Sequence, residues 1–175
     1  MSKSKSRSKK PRTARNDELF TRADKLEDKG NLKAAFRLLL AGAKAGDIGC
    51  QVNVGNYYDD AKGIRRNREA ALYWYGRAYQ RGNAAAASNI GIMWRNEGKP
   101  ARALSWFKRA VKMGDDEANL EIAKHYIVNE NRPRRALPYL RKVVNSNWVT
   151  EAGAEEATVL LRQVRKRLSR AQLAS

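Results

Sequence analysis

The chain contains one cysteine and one histidine in 175 residues. Acidic residues number half the basic ones, 18 against 36. Each scarcity excludes something. Cys50 has no partner for an internal disulfide, which fits a reducing compartment and predicts a buried core thiol. One Cys and one His make neither a zinc-ligand set nor a Cys/His nucleophile pair. No apolar run approaches the ~18 residues of a membrane helix. No apolar h-region follows the basic start, so a secretory leader is not expected either. These absences predict a cytoplasmic chain without metal or cofactor.

Carboxylates are few, and some stand side by side, as in Asp59-Asp60, Asp115-Asp116-Glu117 and Glu155-Glu156. Neighbouring helical positions diverge by about 100°, so these groups are not expected to converge on a substrate. The Asp115 group reads as negative charge at a helix start. Gly91…Gly98-Lys99 has six intervening residues where a phosphate loop has four, and no Ser or Thr after the lysine. The chain is read as a non-enzyme.

What is present is a repeat. Ala71-Leu72, Trp74-Tyr75, Ala78 and Gly82 return 32 residues later as Ala103-Leu104, Trp106-Phe107, Ala110 and Gly114. A decayed copy follows after 33 more as Ala136-Leu137, Tyr139-Leu140, Val143 and Asn147. A faint earlier copy is Ala35-Phe36, Leu39 and Gly46. A second half-pattern precedes each block: Val54-Gly55…Tyr58, Ile90-Gly91…Trp94 and Ile122-Ala123…Tyr126. A period in this range marks stacked helix pairs, each too thin to bury its own apolar face. Helix A is predicted near 48–59, 84–96 and 116–129, and helix B near 67–81, 100–113 and 133–145. Small residues at Gly55, Gly91 and Ala123 let neighbouring helices approach closely. Gly46, Gly82 and Gly114 fit left-handed caps closing helix B, with Asp47, Asn83 and Asp115 placed to cap the next helix. Pro100 and Pro133 suit a first helical position. Pro138 falls inside the last helix B and predicts a kink or slippage there.

These residues resemble the Sel1-like repeat (SLR) family, a relative of the tetratricopeptide repeat. The fullest copy runs from Gly46 to Gly82. Val54-Gly55…Tyr58, Gly63-Ile64, Asn67, Ala71, Trp74-Tyr75, Ala78 and Gly82 stand at the family's LG-Y, G-V, D, A, WY, A and G positions. Asn67 replaces the usual Asp and Ala61 an expected Gly. The later copies lack the G-x-G-V loop and approach tetratricopeptide length. The resemblance implies an all-α, right-handed α-solenoid acting as a protein-binding scaffold. Its units fall near 17–46, 47–82, 83–114 and 115–147, with a capping helix at 151–173. That helix carries Ala157, Leu160, Leu161, Val164 and Leu168 at helical spacing.

In such a solenoid the A helices line the concave side. Three rungs of A-helix positions align there: Asn53, Asn89 and Glu121; Asn56, Ile92 and Lys124; Tyr57, Met93 and His125. Asparagine amides offer a donor and an acceptor to an extended backbone, and Tyr57, Ile92 and Met93 are expected as anchors. The net charge of +18 makes an acidic protein or peptide the expected partner.

Residues 1–16 hold Lys3, Lys5, Arg7, Lys9, Lys10, Arg12 and Arg15 and no acid, so a disordered tail is predicted. It serves equally as a solubilising tail or as a contact for nucleic acid or an anionic surface, the alternative being a nucleic-acid-associated protein that binds phosphates through this tail and its basic helical faces. Arg162, Arg165, Lys166, Arg167 and Arg170 read as the polar outer face of a terminal helix. Tyr57, Tyr73 and Tyr79 fall off the repeat's apolar positions and are the open candidates for base stacking.

Overall fold

A computed structural model describes residues 12–173, and side chains from residue 18 onward. Within them lie nine helices: α1 (Arg12–Asp28), α2 (Leu32–Lys44), α3 (Ile48–Asp59), α4 (Arg68–Gln80), α5 (Ala84–Asn96), α6 (Pro100–Lys112), α7 (Ala118–Val128), α8 (Pro133–Val144) and α9 (Glu151–Leu173). The described residues contain no strand. The chain divides into two compact units, one ending at Arg77 and one beginning at Ala78.

The turns are built as the repeat predicts. Gly46, Gly82 and Gly114 adopt φ of 92°, 86° and 95°, a conformation that costs a residue with a Cβ but not glycine. Asp47 Oδ1 then accepts from Cys50 N at 2.7 Å, and Asn83 Oδ1 from Ala86 N at 2.8 Å. Asp115 Oδ1 accepts from Ala118 N at 3.3 Å. Each satisfies a backbone donor that the helix start would otherwise leave unpaired.

In the first unit α1 packs on α2 and α2 on α3. The core gathers Ala35, Leu39, Cys50, Val54, Tyr57 and Trp74. Gly55 lies against the Tyr75 ring, where an added Cβ would stand 2.4 Å from Cε1. A polar clasp ties the end of α1 to the α3–α4 region: Tyr57 OH and Lys62 Nζ each donate to the Glu27 carboxylate at 2.5 Å. Burial pushes the Glu27 carboxyl up, but the hydrogen bonds from Lys62 and Tyr57 and the Lys62 charge together hold it below its usual value. Burial, then Glu27, push the Tyr57 phenol well above its usual range. Cys50 is fully buried, and burial followed by Asp47 raises its thiol to about 12.

In the second unit α5 packs on α6, α6 on α7, α7 on α8 and α8 on α9. Apolar residues at helical spacing face one core: Ala103, Phe107 and Ala110 of α6, Ala136, Leu140 and Val143 of α8, and Ala157, Leu161 and Val164 of α9. Leu160 and Leu168 pack against it from the sides. Burying a side chain such as Phe107 or Leu140 is worth roughly 1.5–3 kcal/mol.

Three expectations are corrected. Helix α1 starts at Arg12, so Arg12 and Arg15 lie on a helix and not in a structureless tail; Ala14, Arg15 and Glu18 are good helix formers. Lys3, Lys5, Arg7, Lys9 and Lys10 lie outside the described residues. Helix α8 runs without interruption through Pro138. Only one intrahelical donor is missing there, and Ala136, Leu140 and Val143 on its buried face hold the helix in place. Tyr57 and Met93, expected as exposed anchors, are core residues at 1% and 2% exposure.

Candidate protein-interaction groove

Helices α5, α7 and α9 of the second unit line one open groove of about 650 Å³. From α5 come Ala84, Ala85, Ser88, Asn89 and Ile92; the alanines leave the space that larger side chains would fill. Helix α7 and the turn before it supply Asp115, Glu117, Leu120, Glu121 and Lys124. Thr150, Gly153 and Glu156 form the third wall, and Phe107 of α6 lies behind.

The lining is cross-braced. Ser88 Oγ donates to Asp115 Oδ2 at 2.5 Å, joining α5 to the turn before α7. Thr150 Oγ1 donates to Glu117 Oε1 at 2.6 Å, joining α9's start to the same turn. Lys124 Nζ bridges Glu121 at 3.3 Å and Glu156 at 2.8 Å. Arg95 pairs with Glu121 from outside the lining. Gly153 permits this approach, because a Cβ there would stand 2.9 Å from Glu117 Oε1. These bonds fix the walls before any ligand arrives, which lowers the cost of ordering on binding.

Four carboxylates, Asp115, Glu117, Glu121 and Glu156, face the groove against one cation, Lys124. The groove is therefore negative in a chain of net charge +18. The expectation of an acidic ligand rested on whole-chain charge, which says nothing about where the charges lie. Within the acidic run the expected divergence holds for Asp116 alone, since Asp115 and Glu117 both line the groove. Asp116 turns away to accept from Ser146 Oγ at 2.6 Å, while Asp115 and Glu117 meet Glu121 and Glu156. A run of alternating faces on a turn, followed by Glu121 at i+4 from Glu117, was the available signal; Glu156 and Thr150 had none.

Of the residues predicted for the concave face, Asn89, Ile92, Glu121 and Lys124 come together in this groove. The others do not. In the first unit, Asn53 Nδ2 donates back to Gly49 O at 3.0 Å, and Asn56 Oδ1 accepts from Tyr75 OH at 2.7 Å. Met93 is buried, and His125 Nε2 lies 3.2 Å from Glu130 Oε1 with its ring edge-on to Tyr126. Thus two of the three aligned rungs hold the groove residues, and the rung Tyr57–Met93–His125 turns inward. Among the stacking candidates, Tyr57 is buried and Tyr79 packs edge-on against Trp106 at 5.1 Å. Tyr73 is exposed, with Arg77 above its ring.

Paired helices in a regular register, closed by glycine caps and seated small-on-aromatic, define an α-helical repeat protein of the solenoid class. Its fold is that of the Sel1-like repeat proteins. A Sel1 repeat protein from Oxalobacter formigenes superposes with a TM-score of 0.60 at 30% identity, over 78% of this chain and 57% of that one. A protective antigen of uropathogenic Escherichia coli displaying an SLR fold superposes with a TM-score of 0.52 over 75% of this chain and 40% of that one. At 18% identity that likeness concerns fold alone. An F-box protein of Arabidopsis thaliana is 27% identical over 89 residues, half of this chain and 25% of that protein. The chain thus spans about a quarter of the curated relative and rather more than half of the Oxalobacter structure. No family model matches it. Among the described residues no helix is long and apolar enough to cross a membrane. In coarse terms the chain is an α-helical repeat protein with the Sel1-like fold.

Proposed function

We propose that the chain is a non-enzymatic adaptor that holds an extended, cationic segment of a partner protein in the α5–α7–α9 groove. One observation carries this reading: four carboxylates and one lysine line a braced, open groove. Opposite charge steers a basic segment into such a groove and repels an acidic one. Phosphates are repelled in the same way, so a nucleic acid does not suit this surface. Asn89 and Ser88 sit on the groove wall beside the acids, where polar groups can meet a peptide backbone.

The test uses the full chain and two labelled nine-residue peptides, one of alternating serine and arginine and one of alternating serine and glutamate. The arginine peptide should bind and weaken as salt rises. Glu117→Gln with Glu156→Gln should cost roughly tenfold in affinity, about 1.4 kcal/mol. Equal binding of the two peptides, or indifference to the double substitution, would refute the reading.

A further inference from the structure

Trp148 stands in the α8–α9 loop at 85% exposure, the most exposed aromatic ring among the described residues. Its loop is nonetheless fixed on both sides. Ser146 Oγ donates to Asp116 Oδ2 at 2.6 Å and accepts from Trp148 N at 3.0 Å. Two residues beyond Trp148, Thr150 Oγ1 donates to Glu117 Oε1 at 2.6 Å and accepts from Gly153 N at 3.1 Å. Both anchors are on the acidic turn before α7, whose Asp115 and Glu117 line the groove, and Thr150 lines it too. Trp148 therefore stands two residues from the groove-lining Thr150, on a loop braced on both sides.

The other three tryptophans differ from it in one respect. Each has a cation of this chain over its ring. Arg77 lies 5.8 Å from the Trp74 centroid, Lys99 and Arg102 each 4.8 Å from that of Trp94, and Arg109 4.4 Å from that of Trp106. No cation among the described residues covers Trp148. An indole face is the best aromatic receptor for a guanidinium or ammonium group. Carboxylates on the adjoining turn raise the local concentration of such groups. A loop backbone already braced by hydrogen bonds also has less freedom to lose when the ring is covered.

We infer that Trp148 is the aromatic anchor of the groove and takes a lysine or arginine of the partner segment over its ring. The inference rests on the groove reading above and adds the feature the ligand must carry: a cation at the point where the segment crosses the rim, with the chain then running past Glu117 and Thr150. Arginine fits better than lysine, because its planar guanidinium stacks on the indole and sheds water more easily.

The experiment titrates the full chain with the labelled alternating serine–arginine peptide and reads anisotropy. Trp148 is exposed, so its substitution leaves the core intact. Trp148→Ala and Trp148→Leu should each weaken binding about three- to thirtyfold, the range of cation–π contributions. Trp148→Phe should retain part of the affinity. If Trp148→Leu binds as well as the native chain, the ring supplies apolar contact and reads no cation, and the inference falls. If the peptide binds and Glu117→Gln with Glu156→Gln weakens it while every Trp148 substitution is silent, the groove reading stands and the inference falls. If the peptide does not bind at all, both fall together.

Discussion

Gly91 lies flat against the Phe107 ring, where an added Cβ would stand 2.6 Å from Cε1. Phe107 is buried beneath the groove whose outer wall α5 supplies. The same seat in the first unit joins Gly55 and Tyr75. In the next repeat both partners change, to Ala123 and Leu140, each fully buried in one cluster. A missing methyl on helix A thus accommodates a ring on helix B, and an alanine appears where a leucine replaces the ring.

Gly91→Ala should therefore destabilise the chain. The ring is walled in and cannot step aside, so overpacking of about 1–3 kcal/mol is expected despite alanine's better helix propensity. Denaturant unfolding at constant slope measures it. An unchanged midpoint would mean that α5 and α6 sit farther apart than the seat requires.

The Glu27 clasp gives a pH dependence with a definite sign. Its carboxyl is held below the usual value of 4.5, so the unfolded chain binds that proton more readily. The stabilisation is complete above about pH 4.5 and is lost as pH falls through the lower folded value. Tyr57→Phe removes one donor and should cost about 1 kcal/mol at pH 7, a modest figure because Lys62 is partly in water. Urea midpoints should separate native and Glu27→Gln chains at pH 7, and the gap should narrow steadily as pH is lowered below about 4.5.

Lys124 is the one cation in the groove lining, where it bridges Glu121 and Glu156. Lys124→Met should have two opposite effects. Stability should fall by less than about 1 kcal/mol, as for other partly exposed pairs. Affinity for the serine–arginine peptide should rise severalfold, because two carboxylates lose their internal partner. Calorimetric titration of the full chain reads both Kd and its salt slope. Weaker binding on loss of Lys124 would show that it contacts the ligand itself.

Cys50 should be inert in the folded chain. Its sulfur is fully buried, and burial with Asp47 raises the thiol to about 12, leaving almost no thiolate at pH 8. Reaction with a disulfide reagent should be slow in buffer and immediate in denaturant. Fast labelling in buffer would place the start of α3 in frequent local opening.

Much of this molecule could be read from the chain itself. The 32- and 33-residue offsets define α3 to α8 almost to the residue. Val54-Gly55 and Ile90-Gly91 mark the close helix contacts, and Gly46, Gly82 and Gly114 the turns. That information is local: a helix, its cap and its apolar stripe depend on residues within a few turns of one another. It also extends to the groove, since Asn89, Ile92, Glu121 and Lys124 share two repeat positions.

Only the tertiary structure decided which positions face outward and what charge they present. Tyr57 reads as polar-faced in its own helix, yet Glu27, 30 residues earlier, supplies the partner that lets its hydroxyl be buried. Met93, at the aligned position of α5, is buried too, so the apolar face of helix A is wider than the signature residues imply. The groove's negative charge arises from Asp115, Glu117, Glu121 and Glu156, drawn from a turn and two helices. Trp148 is set by a loop whose hydrogen-bond partners lie about 30 residues away. Net charge is a sum over the chain, whereas a binding surface depends on the distances between its members, and folding fixes those distances.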